Sequence, residues 1–206
     1  MLDSLEHGKE MFQQYFQETT TMSDKPNYEV FTTPVGELVY PWVTKPDVRY
    51  DPDGVYQTKL LLPFEGAQEL IARLEGVRNS FTETLDVAKQ KSYNPVAVYE
   101  EELDEEGAET GNVLIKFKLK ALVTPREGDA FEQKPVVINA EDGAAIEQPV
   151  YGGTMARLKG QIVPYTNAMS KTVGVTLRLR AIQVHELVTG NGTGGGAFWS
   201  DFDEAE

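Results

Sequence analysis

The sequence predicts a mainly β domain of the α+β class, closed or partly open as a small barrel. Three observations predict it. Between Asn27 and Val184 most apolar residues recur at alternate positions, in segments rich in β-branched and aromatic side chains and bounded by Pro, Gly and Asp. Only one stretch, 65–91, changes to helical spacing. The 206 residues, 40% of them hydrophobic, suffice for one sizeable core, and no internal repeat is visible.

Residues 1–21 read as an N-terminal extension, with Leu2, Leu5, Met11, Phe12, Tyr15 and Phe16 on the apolar side of a short amphipathic helix. The folded unit is expected over 22–189. YEVFTTP, GELVYPWV and GVYQTKLLL form its first three strand-like segments, and Asp51–Gly54 is a turn signal before the third. In 65–91, Leu70, Ile71, Leu74, Val77, Phe81 and Leu85 fall on one helical stripe, and Gly76 is a weak point in it. The run 100–109, seven acids without a base, reads as a solvated loop. The clearest strand follows at Asn112–Val123: Val113, Ile115, Phe117 and Leu119 point one way, Lys116, Lys118 and Lys120 the other. Further strands are expected at Pro135–Asn139, Gly153–Tyr165 and Thr172–Val184.

The net charge of −14 is unevenly spread. With 1–21, 100–109 and 190–206 set aside, acids and bases balance at 18 each, so the excess negative charge is peripheral. There is no cysteine, hence no disulfide framework or thiolate metal site; the N-terminus lacks a signal-peptide pattern, and no apolar run is long enough for a membrane span. The only histidines are His7 and His185, and no phosphate-binding loop, nucleophile elbow or HExxH motif occurs. The acidic run lacks the spacing and turn glycine of a calcium loop. No residues stand out to carry catalysis, bind a metal or hold a cofactor.

The positive signal is basic. Lys116, Lys118 and Lys120 form a row of about 13–14 Å on one strand face. Lys59, the pair Arg157 and Lys159, and the pair Arg178 and Arg180 alternate with apolar residues on other strands. Ordinary polar-out alternation would mix both signs of charge, so these acid-free faces favour a polyanion. Single-strand binding also needs rings on which bases stack. Tyr40, Trp42, Tyr50, Tyr56, Tyr93, Tyr99, Tyr151 and Tyr165 are the candidates; Trp42, Tyr50, Tyr56 and Tyr165 are preferred for their places beside turn signals. Helix 65–91 is mixed in charge and unlike a duplex-reading helix. The last 17 residues are a Gly-rich flexible linker and an acidic-aromatic tip, in which Phe198, Trp199, Asp201, Phe202, Asp203 and Glu204 suit capture by a partner surface.

From Lys134 to Leu187 the chain resembles the phage single-stranded DNA-binding proteins built on an OB-fold, relatives of the podovirus-type helix-destabilising proteins. The resemblance runs through Pro135-Val136-Val137, Tyr151-Gly152-Gly153, Arg157, Tyr165-Thr166-Asn167, Lys171, Gly174, Leu179 and Ile182-Gln183. It weakens over 25–62 and is poor over 65–110. It implies an OB-fold-like barrel with one elaborating helix, single-stranded DNA in a basic and aromatic cleft, and a tip that engages polymerase, primase-helicase or nuclease. It also implies work in phage DNA replication and recombination in the cytoplasm of an infected bacterial cell. A homodimer stays open. Many family tails end in Phe; this one ends in Ala205-Glu206, with Phe202 its last aromatic. The rival readings are an acidic adaptor or DNA mimic without DNA binding, and a virion structural domain.

Overall fold

A computed structural model describes residues 27–125 and 128–190, so the expectations for 1–21 and for the tip from Phe198 to Glu204 lie outside the described residues. Among the described residues, ten strands and two helices follow in the order β1 (Val30–Asp47), β2 (Val55–Pro63), α1 (Phe64–Glu83), α2 (Val87–Ser92), β3 (Asn94–Pro95), β4 (Glu100–Leu103), β5 (Glu109–Lys120), β6 (Leu122–Val123), β7 (Phe131–Glu132), β8 (Val136–Asn139), β9 (Met155–Asn167) and β10 (Thr172–Glu186).

Five strands close a barrel. β1 pairs antiparallel with β2 and β9, β2 with β5, and β9 with β10; a short parallel join, Leu177 opposite Phe117 and Arg178 opposite Lys118, seals β10 to β5. Closure removes the exposed edges that an open sheet of this length would present. The alternation expected for β5 holds residue by residue: Val113, Ile115, Phe117 and Leu119 are buried, and Lys116, Lys118 and Lys120 are exposed. Phe31 of β1 meets Phe117 at 5.9 Å inside the barrel, beside Leu38, Leu60, Leu158, Ile162 and Leu179. Gly160 is required at this crowded point, because a Cβ there would lie 3.1 Å from the Phe117 ring and 3.2 Å from Phe31.

Four details differ from the sequence expectation. The segments YEVFTTP and GELVYPWV are parts of a single strand, β1, bent by two register shifts. Helix 65–91 is two helices: Thr84 closes α1, its N–H and hydroxyl both bonding to Phe81 O, and Asp86 caps α2 by accepting from Lys89 N. Gly76 leaves α1 unbroken. The acidic run 100–109 is a β-hairpin, not a loop: Glu100–Leu103 pairs with the start of β5, and Asp104 Oδ1 accepts the N–H groups of Glu106 and Ala108 in the turn. The last strand carries an irregularity between Leu179 and Ala181: Arg178 and Arg180 alternate with buried Leu177 and Leu179, but Ala181 and Ile182 are both buried, so the alternation breaks after Arg180.

α1 covers one end of the barrel with Ala67, Leu70, Ile71 and Leu74. Arg78 is buried there with its charge satisfied by Val96 O at 2.8 Å and by Glu75 and Asn79. Among the described residues no helix is long and apolar enough to cross a membrane, and no cluster of three acids or histidines could hold a metal ion.

Candidate nucleic-acid interface

The site begins with a bulge. Val39 lies opposite Lys59 and Trp42 opposite Gln57, so β1 uses three steps where β2 uses two. Without the extra residue Val39 and Trp42 would face opposite sides; with it, both face outward. The backbone bends at Tyr40, whose φ of 49° is unusual for a bulky residue, and its ring stands 80% exposed. The buried Thr58 hydroxyl donates to Val39 O at 3.3 Å, so the bulged carbonyl stays satisfied.

The β1–β2 loop then folds Arg49 back over Trp42, with its guanidinium 5.0 Å from the indole centroid and 5.8 Å from the Tyr50 ring. Asp47, 4% exposed, holds it there. Asp47 Oδ1 accepts from Arg49 N at 3.1 Å and Nε at 3.0 Å, and Oδ2 accepts from Nη2 at 2.9 Å and from Gln57 Nε2 at 3.2 Å. The side-chain and backbone bonds from Arg49 hold the Asp47 carboxyl down at about 2, against a smaller opposing effect of burial. The expected turn at Asp51–Gly54 closes with Gly54 N donating to Asp51 O at 2.9 Å.

Tyr40, Trp42 and Arg49 line both of two open hollows. One, about 470 Å³, is completed by Lys45, Pro149, Tyr151 and Gly152; the other, about 180 Å³, by Gln57, Lys59 and Lys116. Register carries the polar surface onward. Lys59 is opposite Lys116, Gln57 opposite Lys118, Lys118 opposite Arg178, and Arg178 opposite Gln161. Lys59, Lys116, Lys118 and Arg178 therefore share one outward surface across β2, β5 and β10, and Arg178 also lies 5.6 Å over Tyr28. A surface with cations at strand spacing beside exposed rings can pair with phosphates and stack bases.

The remaining sequence candidates are distributed differently. Arg157 and Lys159 line a separate hollow of about 210 Å³ with Thr32, Ala181 and Gln183, where burial pulls the lysine below its ordinary range. Lys120 approaches Asp51 at 3.8 Å and Lys59 pairs with Glu100, so the strand faces are not free of acids once neighbouring elements are counted. Tyr50 is 91% exposed beside Arg49, as a stacking ring requires. Tyr56 is 7% exposed and packs in the core, because it alternates with outward Gln57 on β2; it offers bases no open face. Tyr165 is half-buried in the β9–β10 hairpin with its ring laid on Gly174, where an added Cβ would meet the hydroxyl at 2.8 Å. Arg49, with Asp47 and Gln57 behind it, is the residue that strand alternation missed. Its signal was the Arg-Tyr pair just ahead of a DPDG turn, two residues after an aspartate.

Structures of known proteins share this architecture. Gp2.5, a single-stranded DNA-binding protein encoded by bacteriophage T7, superposes with a TM-score of 0.66 at 22% identity, over 87% of this chain and 96% of its own. The single-stranded DNA-binding protein of bacteriophage Enc34, in complex with ssDNA, gives 0.54 at 16% identity over 85% and 100%. Its C-terminally truncated form gives 0.53 at 13% over 82% and 99%. The chain has their OB-like fold. No protein-family model matches the sequence, and no curated protein matches it.

Proposed function

We propose that the protein is a non-catalytic single-stranded DNA-binding protein that coats and protects single strands during phage DNA replication and recombination. The observation that carries the reading is the Trp42–Arg49–Asp47 cluster opening onto the Lys59, Lys116 and Lys118 row on the outside of the barrel. Aromatic faces supply affinity without sequence preference, and each cation meeting a phosphate releases condensed counterions. That the fold is shared with phage single-stranded DNA-binding proteins, one of them in complex with ssDNA, supports the same reading.

The acidic-aromatic tip, Phe198 to Glu206, is proposed as the handle for replication proteins, with polymerase, primase-helicase or nuclease as the partner class. Titrating labelled oligo-dT with the full chain, across several salt concentrations and with duplex DNA as control, tests the binding claim by fluorescence anisotropy. Salt-sensitive binding that prefers the single strand is expected. No binding even at low salt overturns the reading in favour of the acidic adaptor. Pull-down of replication proteins by the full chain but not by one lacking 190–206 tests the tip.

A further inference from the structure

We propose that Glu100 is a tethered counterion for Lys59, which an incoming phosphate must displace, and that this exchange sets the affinity and the salt response of the binding face. The inference rests on the single-stranded DNA-binding reading of that face. Lys59 sits on β2 between Val39 and Lys116, and its amine is 2.5 Å from Glu100 Oε2. Glu100 opens β4 opposite Leu114, which is itself opposite Leu61; Glu100 therefore lies on the same outward surface as Lys59, one strand beyond β5. The next acid, Glu101, is opposite Val113 and belongs to the other face. Glu102 returns to the outer face but is held by Thr110 Oγ1 at 2.6 Å and Asn112 Nδ2 at 2.9 Å. Among the described residues, Lys116 and Lys118 have no ion pair. One cation of the row is thus compensated within the protein and its neighbours are not.

The two kinds of lysine respond differently to DNA. A phosphate that meets Lys116 releases about 0.7 of a counterion. At Lys59 the phosphate also releases its counterion, but the displaced Glu100 carboxylate is left beside the strand, where its repulsion is strongest at low salt and is screened as salt rises. That repulsion offsets part of the release, so Lys59 adds less to the salt slope than Lys116 does. The pair is exposed, Glu100 at 60% and Lys59 at 29%, so its displacement lowers affinity only by a factor of about 1.5 to 5. The acidic hairpin thereby weakens the site without removing any contact from it.

The test is oligo-dT anisotropy on the full chain between about 50 and 300 mM salt. Glu100→Gln should bind roughly 2- to 5-fold more tightly at low salt, with a log–log slope steeper by at most about 0.7. Glu101→Gln makes the same charge change on the opposite face and should do neither. Lys59→Gln in the natural chain should flatten the slope less than Lys116→Gln, which flattens it by about 0.7; in the Glu100→Gln background, Lys59→Gln should cancel the gain. Equal effects of Glu100→Gln and Glu101→Gln would reduce the hairpin to a diffuse field and overturn the proposal, as would an unchanged slope for Glu100→Gln. A natural chain that binds while Glu100→Gln keeps its slope defeats this inference alone. A natural chain that does not bind oligo-dT defeats the site reading with it.

Discussion

Trp42 owes its outward position to one extra residue in β1 and its companion cation to Asp47, so the smallest changes at this site should separate stacking from charge. Trp42→Ala should cost about 1–3 kcal/mol of single-strand affinity, roughly 5- to 150-fold, in an oligo-dT titration. Tyr165→Ala, which removes a ring already laid on Gly174, should leave that affinity within a factor of about two. Equal losses would mean that DNA runs over the β9–β10 hairpin instead. Asp47 makes a separate prediction about pH. Its carboxyl titrates near 2 in the folded chain instead of 3.8, so ionised Asp47 favours the folded loop. That contribution is complete above the ordinary aspartate range and fades as the pH falls through 2. A carbon-detected carboxyl titration should therefore place its midpoint close to 2, and binding should show no Asp47-linked step between about pH 5 and 8. A midpoint in the ordinary range would show that the Arg49 bonds do not persist in solution. The importance of Arg49 was hard to read in the sequence for a physical reason. Alternation ranks strand residues, whereas a loop cation is positioned by hydrogen bonds that spacing does not reveal.

The elements were legible where local pattern and long-range pairing agree. β5 is the clear case, since the rhythm of Val113, Ile115, Phe117 and Leu119 is the rhythm of the core it lines. The acidic run misled because consecutive glutamates have poor strand propensity and repel each other, yet backbone pairing to β5 holds Glu100–Leu103 extended. Helix spacing correctly placed α1, but it ran through Thr84–Asp86, where a cap restarts the chain as α2. The bulge at Tyr40 was invisible because it exists only relative to β2. Since α1 packs on the barrel end and not on the candidate face, its core residues should affect stability and binding independently. Leu74→Ala, at a fully buried position, should lower unfolding free energy by about 2–5 kcal/mol in urea melts. Folded Leu74→Ala protein should bind oligo-dT as the natural chain does. A parallel loss of affinity would mean that α1 contributes to the site.

Across the whole molecule, the charge balance makes sense of an acidic protein with a cationic face. The excess acids lie in 1–21, in the β4–β5 hairpin and in the tail, while the barrel itself is balanced. If three or four phosphates are met by Arg49, Lys116, Lys118 and Arg178, the salt slope on single strands should fall near −2 to −3. On the proposed reading the tail would add a term of opposite sign. Gly190, the last described residue before it, lies against Tyr151, which lines the same hollow as Trp42 and Arg49; an added Cβ would stand 3.1 Å from the Tyr151 hydroxyl. Gly190 therefore sits at the rim of the candidate face, and Phe198 can lie no further than about 29 Å from it. A tip carrying Asp201, Asp203, Glu204 and Glu206 on so short a tether would meet those cations at an effective concentration on the order of millimolar. Such a concentration competes with weakly held DNA and not with tightly held DNA. Removing 190–206 should tighten oligo-dT binding at about 50 mM salt, and the advantage should shrink toward 300 mM as screening weakens the tip's hold. An advantage that persists at high salt would point to an aromatic contact as the source of competition. Identical affinities at every salt would show that the tip never occupies the face, leaving its role in capturing partners as the remaining reason for four acids and three aromatics at the end of the chain.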